Sequence, residues 1–413
     1  MKTLWLLTTK SIINRRVAFT LSLISIAISV VLLLGIDRIT KATKTHFLNT
    51  INQTDLIAAA PEGSLDVLLN LVFHLGEPLK EIPYSSYQEI SKFDEVAWAF
   101  PLSVGDSFKN YDAIATTNEY FRHYKYGFAN SLSFSKGGNF KEFYDVILGS
   151  EVAEKLHLSL HDTIHLSHSA NAHTHANRDF HICGILKPTH TPNDKTVFFQ
   201  LKADEAIHLE WQSGNFVDMH LTSAQLEKMK IEPKHISGIY IGLKSPFSLL
   251  HVSEKIEHLQ DAHLKAIIPA KALSQLTFLL KNMQELLSLI AAIVFVAALF
   301  GMLATMLATL SDRRREIAIL RMLGASVGTI FLLFALESFI IVTSGIVLGN
   351  IALTLLILFN NLILNQAVEI GLFPDIYELS MLGGMLILAI IASFLPALKS
   401  YKNSLLDGLI VKI

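Results

Sequence analysis

The chain has 413 residues, 51% hydrophobic and only 17% charged, with a positive mean hydropathy. That balance argues against an ordinary soluble enzyme, and a formal net charge of −2 offers nucleic acid no basic surface. Cys183 is the one cysteine, so no intrachain disulfide forms, and all seventeen histidines fall between His46 and His263.

Lys2, Lys10, Arg15 and Arg16 open the chain as a cytoplasmic segment, 1–16, ahead of an uncharged run from Val17 to Ile36. Twenty residues at ~1.5 Å each cover the roughly 30 Å hydrocarbon core of a bilayer. Asp37-Arg38-Ile39-Thr40 follows instead of a small-residue cleavage site, so 17–37 reads as an uncleaved first span. Residues 38–275 then form a polar domain with stalk ends, in which no stretch is apolar for 18 residues, so it lies on one side of the membrane. Val96–Phe100, Asp145–Leu148, Phe180–Leu186 and Thr196–Leu201 read as strands. Ser64–Leu75, Ser85–Phe93, Ser150–Leu158, Ser223–Met229 and Ser253–Gln260 read as helices, with Ser150 as a candidate N-cap. The mixture predicts an α+β domain.

Three further spans follow at 276–310, 327–360 and 378–398, with Lys281 and Glu285 marking a stalk at the start of the first of them. The connector 361–377 holds Glu369 and Asp375 but no Lys or Arg, as an external loop should, whereas the tail 399–413 holds Lys399, Lys402 and Lys412. The loop 311–326 carries Arg313, Arg314, Arg315 and Arg321. Basic loops resist translocation, so one topology satisfies every cluster: four membrane helices, both ends cytoplasmic. Within the loop, Ile317, Leu320, Leu323 and Gly324 recur at helical spacing, while Arg314, Arg315 and Arg321 fall elsewhere round the helix. Such an amphipathic helix lies on membrane lipid or docks into a groove of another protein.

Arg-Arg-Arg-Glu-Ile-Ala-Ile-Leu-Arg-Met-Leu-Gly-Ala at 313–325 resembles the signature loop of FtsX-like permeases, the group containing MacB and LolC. Asp55–Ala60, Leu148–Leu156 and Phe180–Phe199 are similar to segments of the MacB-type periplasmic core, although relatives carry glycine where this chain has His161 before Asp162. The resemblance implies a type VII ABC permease in the bacterial inner membrane, with a large extracytoplasmic domain inserted between helices 1 and 2. It implies that Arg313, Arg314, Arg315, Glu316, Ile317, Leu320, Arg321 and Gly324 form a coupling helix that contacts a dimer of cytoplasmic ABC ATPase subunits. It also implies a second permease copy, in a homodimer or a heterodimer, and transmission of ATP-driven motion to the periplasm. Family uses include efflux, lipoprotein extraction and control of cell-wall hydrolases.

The residues themselves add chemistry. No Gly-x-x-x-x-Gly-Lys-[Ser/Thr] loop is present, so ATP hydrolysis is expected in a partner, with no intrinsic cofactor. No arrangement of Ser, His or paired carboxylates suggests catalysis. Glu337 is read as the one carboxylate inside a span, where burial of an acid is costly and hence functional by default. His157, His161, His165, His168, His173, His175, His181 and His190 crowd one segment. His165, His168, His173, His175 and His181 are candidate ligands for zinc or another transition metal, His173 and His175 sharing one face if extended. A solvated His-rich loop is the plain alternative. Two other functions stay open: metal handling with a periplasmic binding partner, and signalling to a periplasmic hydrolase effector without transport.

Overall fold

The computed structural model describes residues 16–168, 173–174, 179–210, 232–259, 263–310, 317, 319–320, 322, 324–364, 370–371 and 373–407. For 168, 173–174, 207–210, 360–364 and 401–407 it describes the backbone alone. The chain divides into two units, Met1–Thr43 with Leu280–Ile413, and Lys44–Leu279.

The first unit is built from long apolar helices: α1 (Arg16–Thr50), α8 (Pro269–Ala308), α9 (Val327–Leu364), α10 (Ile376–Ala392) and α11 (Phe394–Asp407). Four stretches of these are long and apolar enough to cross a membrane, α10 running on into α11 as the fourth. Leu21, Ile24, Ile28, Leu289, Ile293 and Phe300 stay exposed although apolar, the pattern of helices whose outer faces meet lipid rather than water. Ile26, Val30, Phe295, Met302, Val342, Leu382 and Met385 close the interior. Gly345 and Gly349, one turn apart on α9, let α1 come close. A Cβ on Gly345 would stand 2.7 Å from Ile26 Cγ2, and one on Gly349 would stand 2.8 Å from the Ala27 carbonyl oxygen. Small residues four apart permit such an approach in membranes.

The second unit is a twelve-stranded mixed sheet with helices packed on it. In chain order its strands are β1 (Leu56–Ala59), β2 (Val96–Phe108), β3 (Tyr111–Thr116), β4 (Phe134–Gly137), β5 (Asp145–Leu148) and β6 (Thr163–Ile164). β7 (Ser167–His168), β8 (His173–Thr174), β9 (Phe180–Leu186), β10 (Thr196–Gln200), β11 (Gly238–Leu243) and β12 (Lys265–Ile267) complete it. The main path runs β12-β1-β11-β2-β3-β10-β5-β9-β4, and a short ribbon, β7 with β8, attaches to β2. β3–β10 and β5–β9 are parallel; the other pairs on the path are antiparallel. β1, Val146–Leu148 of β5 and most of β10 are buried continuous apolar runs, as covered strands should be.

Helices α2 (Ser64–Phe73), α3 (Tyr84–Ile90), α4 (Asn118–His123), α5 (Ser150–Lys155), α6 (Leu201–Glu210) and α7 (Leu249–Glu257) belong to this unit. The helix expected at Ser223–Met229 lies outside the described residues. The expected N-cap needs correcting: Gly149, not Ser150, occupies that position, and no side chain caps α5. Gly149 is required there because a Cβ would stand 2.2 Å from the Asn193 carbonyl oxygen. An aromatic cluster of Phe100, Tyr120, Phe198 and Tyr240 fills the sheet centre, and its buried hydroxyls find partners. Tyr120 donates to Asn193 Oδ1 at 2.7 Å and Tyr240 to the Leu71 carbonyl at 3.0 Å.

Candidate functional site

The loop between α8 and α9 is described at Ile317, Ile319, Leu320, Met322 and from Gly324 onward; Arg313, Arg314, Arg315, Glu316 and Arg321 lie outside the described residues. Ile317 is 2% exposed and packs with Leu310, Ile330, Phe334 and Ala397. Ile317 is thus turned into its own unit. Leu320 is half-buried, and among the described residues of the loop the large apolar side chains left exposed are Ile319 and Met322. Gly324 adopts φ +86°, and the Ala325 N–H donates to the Leu320 carbonyl at 3.0 Å. That pairing is a Schellman closure, in which the residue after a left-handed glycine donates to a carbonyl of the last turn.

Glu337 is buried ten residues into α9 and lines a cavity of about 20 Å³ with Ala18, Ser22, Thr305, Thr309 and Ile341. Space of that size holds a single water. The Ser22 and Thr305 hydroxyls are 3.2 Å apart across α1 and α8. Three helices thus bring polar groups to one carboxylate inside the span.

Sequence reasoning missed a second intramembrane acid. Glu378, in the first turn of α10, is 2% exposed and receives the guanidinium of Arg38, itself 3% exposed. Arg38 Nη2 reaches Glu378 Oε2 at 2.9 Å and Asn350 Oδ1 at 3.2 Å, and Nε reaches both carboxylate oxygens. Beside it, Lys41 bridges Asp37 and Asp375, each at 2.6 Å, while Gln284 donates to Asp37 at 3.2 Å. Every span contributes to this polar cluster. A planar fork gripping a carboxylate is the arrangement that repays desolvation best. The signal was Arg38 itself, which charge counting assigned to a flank; nothing linear pairs it with a residue 340 positions on.

The histidines divide. His165 is exposed with Nδ1 3.6 Å from Asp179, and His181 lies opposite Thr163 in the β6–β9 pairing. His168 and His173 are paired in the backbone register of the β7–β8 ribbon, and His175 lies outside the described residues. Among residues whose side chains are described, no three His, Cys, Asp or Glu gather as a metal site. Burial pushes the Cys183 thiol up to about 12, so it stays protonated. His161 stands at φ +71°, its N–H bonded to the Ile182 carbonyl at 2.9 Å and the turn tied by Asp162 Oδ2 to the Ser159 N–H. The position is left-handed, a conformation that glycine adopts without strain and histidine rarely.

Residues 19–259 match the MacB-like periplasmic core domain, and residues 288–405 match the FtsX-like permease C-terminal family. Similar solved structures include the periplasmic region of MacB from Actinobacillus actinomycetemcomitans, 10% identical, covering 55% of this chain and 94% of that one with a TM-score of 0.34. The extracellular domain of the noncanonic ABC-type transporter YknZ from Gram-positive bacteria is 10% identical, covering 52% and 98%, with a TM-score of 0.31. No curated protein matches the chain. With the core family alone spanning more than half its length, four membrane-length helices and the permease family over the last three, the chain belongs to the FtsX/MacB-type ABC transporter permeases.

Proposed function

We propose that this chain is the membrane subunit of an ATP-driven complex in the bacterial inner membrane, with both ends cytoplasmic. It works as a pair of permease chains with a separate ATPase and moves a periplasmic domain rather than passing cargo through the bilayer. The observation that carries the reading is the arginine-rich stretch 311–325, closed by Gly324 at φ +86° and leaving Ile319 and Met322 exposed. In support, both crossings between the two units fall inside helices, α1 at Thr43/Lys44 and α8 at Leu279/Leu280, so ATP-driven movement has a helical path.

Met322→Asp tests it, since seating an unpaired carboxylate in a protein groove costs several kcal/mol. ATPase activity copurifying with the tagged chain from host membranes should fall at least tenfold. The exposed Phe247→Asp in the other unit should leave it unchanged. Full retention in Met322→Asp would remove this stretch as the contact.

A further inference from the structure

The two long helices join the sheet in different ways. α8 starts at Pro269, one residue after β12, and the Lys271 and Ala272 N–H groups bond the Ile268 carbonyl at 3.0 and 3.1 Å, so that helix grows directly out of a strand. α1 stops at Thr50 and reaches β1 at Leu56 through a non-helical connector, 51–55, in which Gln53 takes φ +56°. A few such residues between rigid elements act as a hinge unless something beside them holds them.

Segment 124–127, directly after α4, holds this one. The last turn of a helix leaves its carbonyls without partners inside the helix. Here Tyr124 donates its hydroxyl to the Thr50 carbonyl, and the Gly127 N–H donates to the Asn49 carbonyl at 2.7 Å. From the connector, Asn52 donates its N–H to the Lys125 carbonyl at 2.8 Å and its Nδ2 to the Gly127 carbonyl at 2.6 Å. Tyr124 is 2% exposed, and burial raises its pKa, so the hydroxyl keeps its proton. Its ring stacks on Tyr120 at 5.0 Å, and Tyr120 lies 5.4 Å from Phe100 and 5.1 Å from Phe198 in the sheet centre. One turn before the helix end, Phe47 meets Phe73 of α2 edge-on at 4.6 Å.

We propose that Tyr124 and Asn52 are positioning residues that splint the end of α1 to the sheet, so that movement along α1 turns the periplasmic domain instead of bending the connector. Packed rings and hydrogen bonds form a continuous route from Thr50 through Tyr124 and Tyr120 to the sheet, as physical coupling requires. The inference rests on the ATP-driven reading above and names the joint at which that movement enters the domain.

Hydrogen exchange on the full chain with its copurified ATPase, in detergent micelles, tests the splint in two steps. Without nucleotide, the amides at positions 52 and 127, both bonded across the joint, should exchange at least tenfold faster in Tyr124→Phe and in Asn52→Ala. Tyr240→Phe is the control, because it removes a buried hydroxyl from the same aromatic cluster whose bond runs to the Leu71 carbonyl and not to α1. With ATP and vanadate, exchange within the sheet should change in the unmodified complex and in Tyr240→Phe. In the two joint variants that change should be at least halved while ATPase activity stays within twofold, which a merely structural role would not produce. Unchanged amides at 52 and 127, or a full nucleotide response from the loosened variants, would overturn the splint alone. An unmodified complex whose sheet shows no nucleotide response would overturn the ATP-driven reading and the splint with it.

Discussion

His74 ends α2 with a left-handed backbone at φ 54°, its N–H bonded to the Asn70 carbonyl and its Nδ1 3.1 Å from Thr196 Oγ1. Burial holds its pKa at about 4, below the ordinary 6.5, because the charged ring loses water. The folded value is depressed, so its contribution is complete above pH 6.5 and is lost as pH falls towards 4. The full difference corresponds to roughly 3 kcal/mol, an upper bound because His74 as a residue is only partly buried. The melting temperature of the purified chain should therefore drop between pH 6.5 and 4.5. His74→Asn, which tolerates the left-handed backbone, should flatten that drop. Parallel profiles for both proteins would remove His74 as the titrating group.

Among elements, the α1–α9 contact is the most exacting, because backbone meets backbone. Gly349→Leu must displace the Ala27 carbonyl and Val30, which lie 2.8 Å from the position of its Cβ, and neither is a flexible side-chain end. Overpacking of this kind costs about 1–3 kcal/mol. Thermal unfolding in detergent should reveal that loss in Gly349→Leu and none in Gly301→Leu, whose Cβ would meet nothing within 4 Å. Equal melting temperatures for both variants would mean that the helices are not held this closely. The Arg38–Glu378 pair works differently. A buried ion pair stabilises little against an apolar substitute but strongly disfavours any arrangement that separates its members. It therefore specifies how α1 and α10 meet.

For the molecule as a whole, sidedness is the property on which function turns. In a Cys183→Ser background, cysteines replacing Phe247 and Met322, 97% and 79% exposed, should react with a membrane-impermeant maleimide from opposite sides. Phe247→Cys should label in spheroplasts, and Met322→Cys only after the membrane is opened. Labelling of both from one side would end the proposed orientation. The expectation rests on the arginines at 313–315, which are costly to translocate.

Much of this was legible in one dimension because its physics is local. Four spans follow from the length and apolarity of single stretches, the loop at 311–325 from its charge, and the family from one motif whose residues are consecutive. The strands at Asp145–Leu148 and Phe180–Leu186 were visible because short runs in which apolar residues alternate carry the period of a strand. What tertiary structure alone decided are matters of partnership. Amphipathic spacing could not show that Ile317 packs with Ala397, because the two lie far apart along the chain. Nor could charge counting pair Arg38 with Glu378, because a buried pair is selected by three-dimensional proximity and not by sequence separation. The histidines make the same point: spacing put His173 beside His175, whereas the residue opposite His173 is His168, because the two short strands pair antiparallel.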